Sequence, residues 1–187
     1  MPLSANTLIH FTNNKDALKK ILEEHFKIFH CKENIVFPTK NATYIAPMVS
    51  FCDIPLSQVK DHIAKYGDYG IGMTKEWGIK KGLNPVLYIS KESNFAKNLD
   101  AVFRGYLKHP NNSETNLEEK ELALHDILRH IKNYEGPLKR KDIAIDNYRY
   151  SDEREWRYTP DFKEDCAIVL SNKEYSSEEQ KKTADLK

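Results

Sequence analysis

IAPMVSFC, residues 45–52, is the stretch whose reading decides the fold. It is rich in strand formers and carries no charge, and DIPLS (residues 53–57) turns the chain directly after it. It therefore reads as a buried strand in a sheet core. Working back toward the start, LIHFT (8–12) is a second short apolar run that suits a strand. Asn13 and Asn14 then offer helix caps, and Leu18, Ile21, Leu22, Phe26 and Phe29 fall at 3.6-residue spacing, which predicts a helix over 15–29. Val36-Phe37 before Pro38 is short and extended. Working forward, Ser57 caps a short helix that carries Val59, Ile63 and Tyr66 and stops at Gly67. Residues 69–73 (YGIGM) form a strand punctuated by glycine, a pattern that marks close approach of a ligand or another backbone. A helical turn around Trp77 ends at Gly82, and PVLYIS (85–90) is another strand.

The middle differs in kind. Phe95, Leu99, Val102, Phe103 and Tyr106 make one helical face, and Leu117, Leu124, Leu128 and Ile131 make another. The polar loop 108–116 between them is short enough for antiparallel neighbours, so 92–135 reads as an inserted helical hairpin. Extended structure returns at 143–150 and 154–158, and CAIVL (166–170) is a last apolar run. The segment 173–187 is charged, with Leu186 as its one large aliphatic residue, which raises the expectation that the natural domain continues past Lys187. The expected architecture is a single α+β domain over 1–187. Its predicted core holds Leu18, Ile21, Leu22, Phe26, Val49, Phe51, Ile71, Val86, Tyr88, Leu99, Phe103, Leu128, Ile131, Trp156 and Ile168.

Composition bounds the function. The 187 residues carry 29 Lys and Arg against 28 Asp and Glu, a net charge of +1, which argues against a general nucleic-acid-binding field while leaving a local basic patch open. With 40% hydrophobic and 11% aromatic residues the chain is expected to fold rather than stay disordered. No run approaches the roughly 18 apolar residues of a membrane helix. The start, MPLSANTLIHF, lacks a basic region followed by an apolar one, so no signal peptide is expected. Cys31, Cys52 and Cys166 have no CxxC spacing and read as free thiols in a reducing cytosol. No HExxH or comparable pattern is present, so no metal is expected.

Three constellations can carry chemistry. On a strand His10 and Thr12 share one face; they either bind a ligand's ribose or amide, or His10 bonds a nearby carbonyl while Thr12 caps the turn into the next helix. In YSDEREWR (150–157), an extended chain puts Glu153, Glu155 and Arg157 on one face. Two carboxylates so placed repel unless a cation or ligand sits between them, a mark of functional sites. The alternative is a salt-bridge ladder neutralised by Arg157 or Arg149. Tyr66 and Tyr69 flank glycines and can stack a planar ring, or serve as core tyrosines beside a helix C-cap; this is not GxGxxG, and no helix follows directly. Cys52 beside Asp53 would need a base in space to act as a nucleophile. The triplet 139–141 (KRK) reads as a solvated turn.

LIHFT with its following helix, MVSFCDIPLS, YGDYGIGMTKEWG, NPVLYIS and YSDEREWR, over roughly residues 7–158, resemble the AbiGi family of abortive-infection (phage-resistance) proteins. That resemblance implies the antitoxin side of a bacterial toxin–antitoxin pair. Its partner would be a cognate toxin or a phage-derived protein, and its place the cytoplasm. An N-terminal strand with His-x-Thr, a middle aromatic segment and a late Glu-x-Glu also resemble ADP-ribosyltransferases of the His–Tyr–Glu type. This second resemblance implies a curved, split β core and NAD as substrate. It assigns His10 and Thr12 to the NAD ribose, Tyr66 or Tyr69 to packing on nicotinamide, and Glu155 to the late catalytic glutamate. Glu153 is then the residue two before it, and Arg157 a pyrophosphate holder. A carboxylate near the oxocarbenium-like ribose would stabilise the transition state over the ground state. The competing reading is a non-catalytic relative that neutralises its partner by contact. A third, a nucleic-acid-associated regulator, lacks a helix-turn-helix signature.

Overall fold

The computed structural model describes residues 6–107, 119–140, 143–161, 170–171 and 185–186. In chain order the elements are β1 (Thr7–Thr12), α1 (Lys15–Glu24), β2 (Phe26–Lys27), β3 (Phe29–Ile35), β4 (Ala42–Cys52), a 3-10 turn (Leu56–Gln58), α2 (Lys60–Tyr66), β5 (Tyr69–Thr74) and α3 (Lys75–Lys80). There follow β6 (Asn84–Pro85), β7 (Leu87–Ile89), α4 (Asn94–Leu107), α5 (Glu119–Arg129), β8 (Ile131–Asn133), β9 (Glu135–Arg140), β10 (Ile143–Arg149), a 3-10 turn (Tyr150–Glu153), β11 (Glu155–Tyr158), β12 (Leu170–Ser171) and β13 (Asp185–Leu186). The fold is α+β. Its main sheet runs β5-β1-β4-β11-β6, with β3 and β12 also paired to β4. Every pairing in it is antiparallel. The predicted IAPMVSFC strand is the middle of this sheet and is almost entirely buried.

β4 is strongly curved. Arg157 stands opposite Ser50 and Glu33 opposite Tyr44, six positions apart along β4. On a flat strand that spacing is about 20 Å, beyond the combined reach of the two side chains, yet they meet at 3.1 Å. The bend makes a concave face. One apolar cluster (Ile35, Phe37, Tyr44, Ala46, Met48) packs there against Ala96 and Phe103 of α4 and Leu128 of α5. A second cluster (Leu8, Phe26, Ile28, Val49, Phe51, Leu83) gathers Ile21, Ile71, Trp77 and Trp156 around it.

Several expectations are corrected. The helix predicted over 15–29 ends at Glu24, where His25 takes φ 73° and reverses the chain. Phe26 and Phe29 then lie in strands, Phe26 buried and Phe29 61% exposed. Leu22, expected in the core, is 70% exposed, because α1 is a surface helix with no buried residue. PVLYIS is two short strands: β6 pairs β11, the chain swings at Val86, and β7 pairs β8 in parallel. The inserted helices occur, but they end at Arg129, and Ile131 belongs to β8. Together α4 and α5 form the crossover that a parallel pair requires. The stretch read as a solvated turn supplies Lys139 and Arg140 to β9. Val59, not Ser57, precedes α2, and no side chain caps it. Leu117, the loop 108–116, Cys166, Ile168 and all of 173–187 except 185–186 lie outside the described residues.

Local chemistry explains the parts that hold. The Asn14 side chain caps α1 by accepting from Asp16 N at 2.8 Å and Ala17 N at 3.3 Å. Gly67 ends α2 at φ +121°, and a Cβ there would sit 2.3 Å from the backbone nitrogen of Asn13, so only glycine lets α2 close onto the end of β1. No helix among the described residues is long and apolar enough to cross a membrane.

Candidate functional site

A cavity of about 360 Å³ opens where β1 and β4 part. The two strands share one register pair, Ile9 with Cys52. Carried one step further, that register would set Phe11 N–H toward the Ser50 carbonyl. Instead the His10 ring takes that carbonyl, at 2.8 Å from Nδ1. A side chain thus satisfies an acceptor that the split would otherwise leave open. His10 also packs against the rings of Phe26 and Phe51. Burial holds its pKa below the ordinary histidine value despite the bond to Ser50, so it is neutral, with Nδ1 as the donor.

The floor of the cavity is ionic. Glu155 leads off β11 opposite Cys52. Glu153 closes the preceding 3-10 turn, and Arg154 between them adopts a left-handed conformation (φ 47°). The stretch is therefore not the regular strand expected, yet both carboxylates reach one cation: Lys132 Nζ donates to Glu153 Oε2 at 2.9 Å and to Glu155 Oε2 at 3.0 Å. Arg157 is fully buried. It donates to Glu155 Oε1 from Nε at 2.7 Å and to Glu155 Oε2 from Nη2 at 3.2 Å. It also donates to Glu33 Oε2 at 3.1 Å and, from Nη1, to the Arg129 carbonyl at 2.7 Å. Ser50 Oγ completes the shell, donating to Glu155 Oε1 at 2.7 Å. Burial works to raise the Glu155 carboxyl, but the Arg157 and Lys132 cations outweigh it and hold it well below the usual carboxylate range. Burial likewise works against charge on Lys132 and Arg157, and the surrounding glutamates keep both firmly protonated.

Tyr66, from the end of α2, forms the wall. Its hydroxyl donates to Glu153 Oε1. The His62 ring stacks on it at 4.2 Å and 16°, and the Arg140 guanidinium lies 4.1 Å from its centroid. Two groups that close to one centroid must occupy opposite faces, so both faces of Tyr66 are covered. Burial and the Glu153 charge push its hydroxyl well above the ordinary tyrosine value.

The other sequence candidates are spread more widely. Thr12 does what the capping alternative expected, its Oγ1 accepting from Asn14 N at 3.3 Å. It borders a neighbouring hollow of about 330 Å³ with Lys65, Tyr66 and Arg140. Tyr69 lies on β5 opposite Thr12, 36% exposed, and does not border the main cavity. Arg157 lies behind the cavity wall rather than on it. By register His10 and Glu155 point to opposite faces of the sheet, and both border the cavity because it sits in the gap between strands. Arg149, offered as a neutralising partner, lies 3.9 Å from the exposed Asp152 instead. Sequence reasoning did not find Lys132, Glu33, Ser50, His62 or Arg140. Their signal is spatial: each lies on an element far along the chain from Glu155. Cys31 and Cys52 also line the cavity, and burial pushes each thiol up to about 12, which leaves them unreactive. Among the described residues no cluster of His, Cys, Asp and Glu is arranged to hold a metal.

Comparison with known proteins gives one consistent result. The family model described as "Putative abortive phage resistance protein AbiGi, antitoxin" matches residues 15–187. A curated relative, the "Abortive phage resistance protein AbiGi" of Lactococcus lactis subsp. cremoris, is 33% identical over 156 residues, covering 76% of this chain and 59% of the relative. The chain therefore spans about three fifths of the length of that curated relative. No solved structure matches it significantly. On the family match and this relative together, the chain belongs to the AbiGi family.

Proposed function

We propose that this chain acts in bacterial abortive phage resistance as the antitoxin of a toxin–antitoxin pair, and that it restrains its partner by contact rather than by catalysis. The observation that carries this is the closed state of the cavity's acid. Glu155 accepts from Ser50, Lys132 and twice from Arg157, which uses the roughly four acceptor positions a carboxylate has. A carboxylate whose lone pairs are all taken by fixed protein donors has little left to offer a cationic transition state. Tyr66, the aromatic that would pack on nicotinamide, has both faces filled by His62 and Arg140. The family's description as an antitoxin agrees with this reading.

The second reading is ADP-ribosyl transfer from NAD, in a split β core of the ADP-ribosyltransferase kind. What favours it is that His10, Tyr66, Glu153 and Glu155 line one cavity in the fork of the sheet. In that reading His10 and Thr12 hold the ribose, Glu155 stabilises the oxocarbenium-like ribose, and Glu153 orients the accepting group. It also requires Arg140 to leave Tyr66 or Tyr69 to swing in, and Arg157 to turn from Glu155 and Glu33 toward a pyrophosphate.

Melting the purified protein across millimolar NAD separates the two. A bound ligand stabilises by mass action, by roughly 2.7 kcal/mol at a hundred times its Kd. The contact reading expects no shift in melting temperature, together with co-purification of the adjacent gene's product from cells expressing both. A saturable NAD shift with release of nicotinamide overturns it in favour of the transferase.

A further inference from the structure

Among the described residues no strand pairs the outer edge of the main sheet, β5, and the ladder fixes which groups point outward from it. Lys75 N–H donates to the Asn6 carbonyl at 3.0 Å, in line with the unbroken register that pairs Thr7 with Thr74 through Thr12 with Tyr69. Bonded and non-bonded pairs alternate in an antiparallel ladder. Leu8–Met73, His10–Ile71 and Thr12–Tyr69 are therefore the bonded pairs. The N–H and C=O groups of Gly70 and Gly72 point the other way, outward from β1. Among the described residues nothing outside β1 bonds them, and no residue of β5 is buried. The usual means of blunting an edge, a lysine or proline within the strand or a bulge, are missing from YGIGMT.

We infer that β5 is the interface through which two copies of this chain pair, edge to edge and antiparallel, into one continuous sheet. The strand is complementary to itself about Ile71. With Ile71 facing Ile71 of the second copy, Gly70 meets Gly72 and Gly72 meets Gly70. The outward groups of both glycines are then satisfied in two symmetric bonded pairs, the isologous contact of a twofold dimer. On the side-chain face, Ile71 opposes Ile71 and Tyr69 opposes Met73, which are apolar cross-strand pairs. Asp68 precedes the strand and Lys75 follows it. An antiparallel pair sets opposite ends together, whereas a parallel pair would stack Asp68 on Asp68. Lys75 already bonds Asp53 at 2.7 Å, so these end charges select orientation more than they add affinity.

The test is the solution mass over a concentration series, read together with residue-resolved amide hydrogen exchange. The expected result is a rise from 21.8 kDa toward twice that value. Gly70 and Gly72 amides should exchange quickly in dilute protein and slowly in concentrated protein, while Ile71 and Met73 stay protected throughout. Gly70→Pro deletes an outward N–H without taking one from the β1 ladder. Each dimer loses two bonds, and at about tenfold each the dimer's Kd should rise about a hundredfold. A Cβ at Gly70 meets Ile9 Cγ2 at 3.2 Å, so circular dichroism must show that variant folded; if it is not, exchange in the unmodified chain decides alone. A chain that stays at 21.8 kDa, or a dimer whose Gly70 and Gly72 amides still exchange quickly, overturns the inference.

Discussion

The two edges of β1 are built differently. Toward β5 the ladder is unbroken over six pairs; toward β4 it holds one, and then the strands part. The continuous ladder positions residues and asks little of side chains, because each backbone group finds a backbone partner. The interrupted ladder creates a cavity and leaves polar groups that only side chains can satisfy. His10 takes the Ser50 carbonyl, and behind it Glu33, Glu153, Glu155, Lys132 and Arg157 form a network that works only when complete. Such networks are costly to break by removing one member. Sensitivity to mutation and to pH should therefore concentrate at the split edge.

Acidification should have the largest effect, because it acts on the whole split region at once. Burial lowers His10 below 6.5 and His62 to about 4. The unfolded chain thus takes up protons that the folded chain refuses, and stability that is full above pH 6.5 falls as pH drops toward 4. Glu155 is held below its unfolded value of 4.5, so its contribution is present above pH 4.5 and is lost in turn below it. Denaturant midpoints measured from pH 8 to 3 should fall in two overlapping steps; a flat profile would mean that the split region is open to water. Glu155→Ala comes next. It takes a carboxylate from the buried Arg157 and the half-buried Lys132 and should cost about 3–5 kcal/mol, read by urea unfolding at pH 7.5. Arg157→Lys should recover little of the wild-type stability, since an ammonium cannot span Glu155, Glu33 and the Arg129 carbonyl together. His10→Ala is smaller: it leaves the Ser50 carbonyl without its donor and opens space beside Phe26 and Phe51, costing about 2–3 kcal/mol.

The same contrast explains what could be read from sequence. β1, β4, β5 and the stop at Gly67 are legible because hydrophobic runs and glycines report local backbone demands. The gathering of His10, Tyr66, Glu153 and Glu155 is legible only as a set of residue types in an order, with no spacing to fix it. Lys132 is not legible at all. It lies three residues past a helix, in a strand of three residues whose partner, β7, is more than forty positions earlier, so no local period marks it. The early end of α1 is hidden for a similar reason: Leu18, Ile21, Leu22, Phe26 and Phe29 fit a helical face by coincidence. The actual burial from Phe26 to His30 alternates with period two, set by pairing with strands that come later in the chain, β13 for β2 and β4 for β3.

Leu22 gives the smallest effect and the sharpest check on that explanation. As part of a continuous helix over 15–29 it would be a core residue, and Leu22→Gln would cost about 2–5 kcal/mol, as a large apolar truncation does. With the chain reversing at His25, α1 carries Leu22 on its solvent side at 70% exposure. The substitution then removes almost no buried apolar area, and glutamine is nearly as good a helix former as leucine. The expected change in urea unfolding is within about 0.5 kcal/mol. Ile21, one position away and packed against the cluster that holds Phe26 and Phe51, should respond more strongly to the same replacement. Equal costs at the two positions would mean that α1 is rotated relative to β1 and β5. A clear difference ties the surface of α1 to the continuous edge and leaves the sensitivity with the split one.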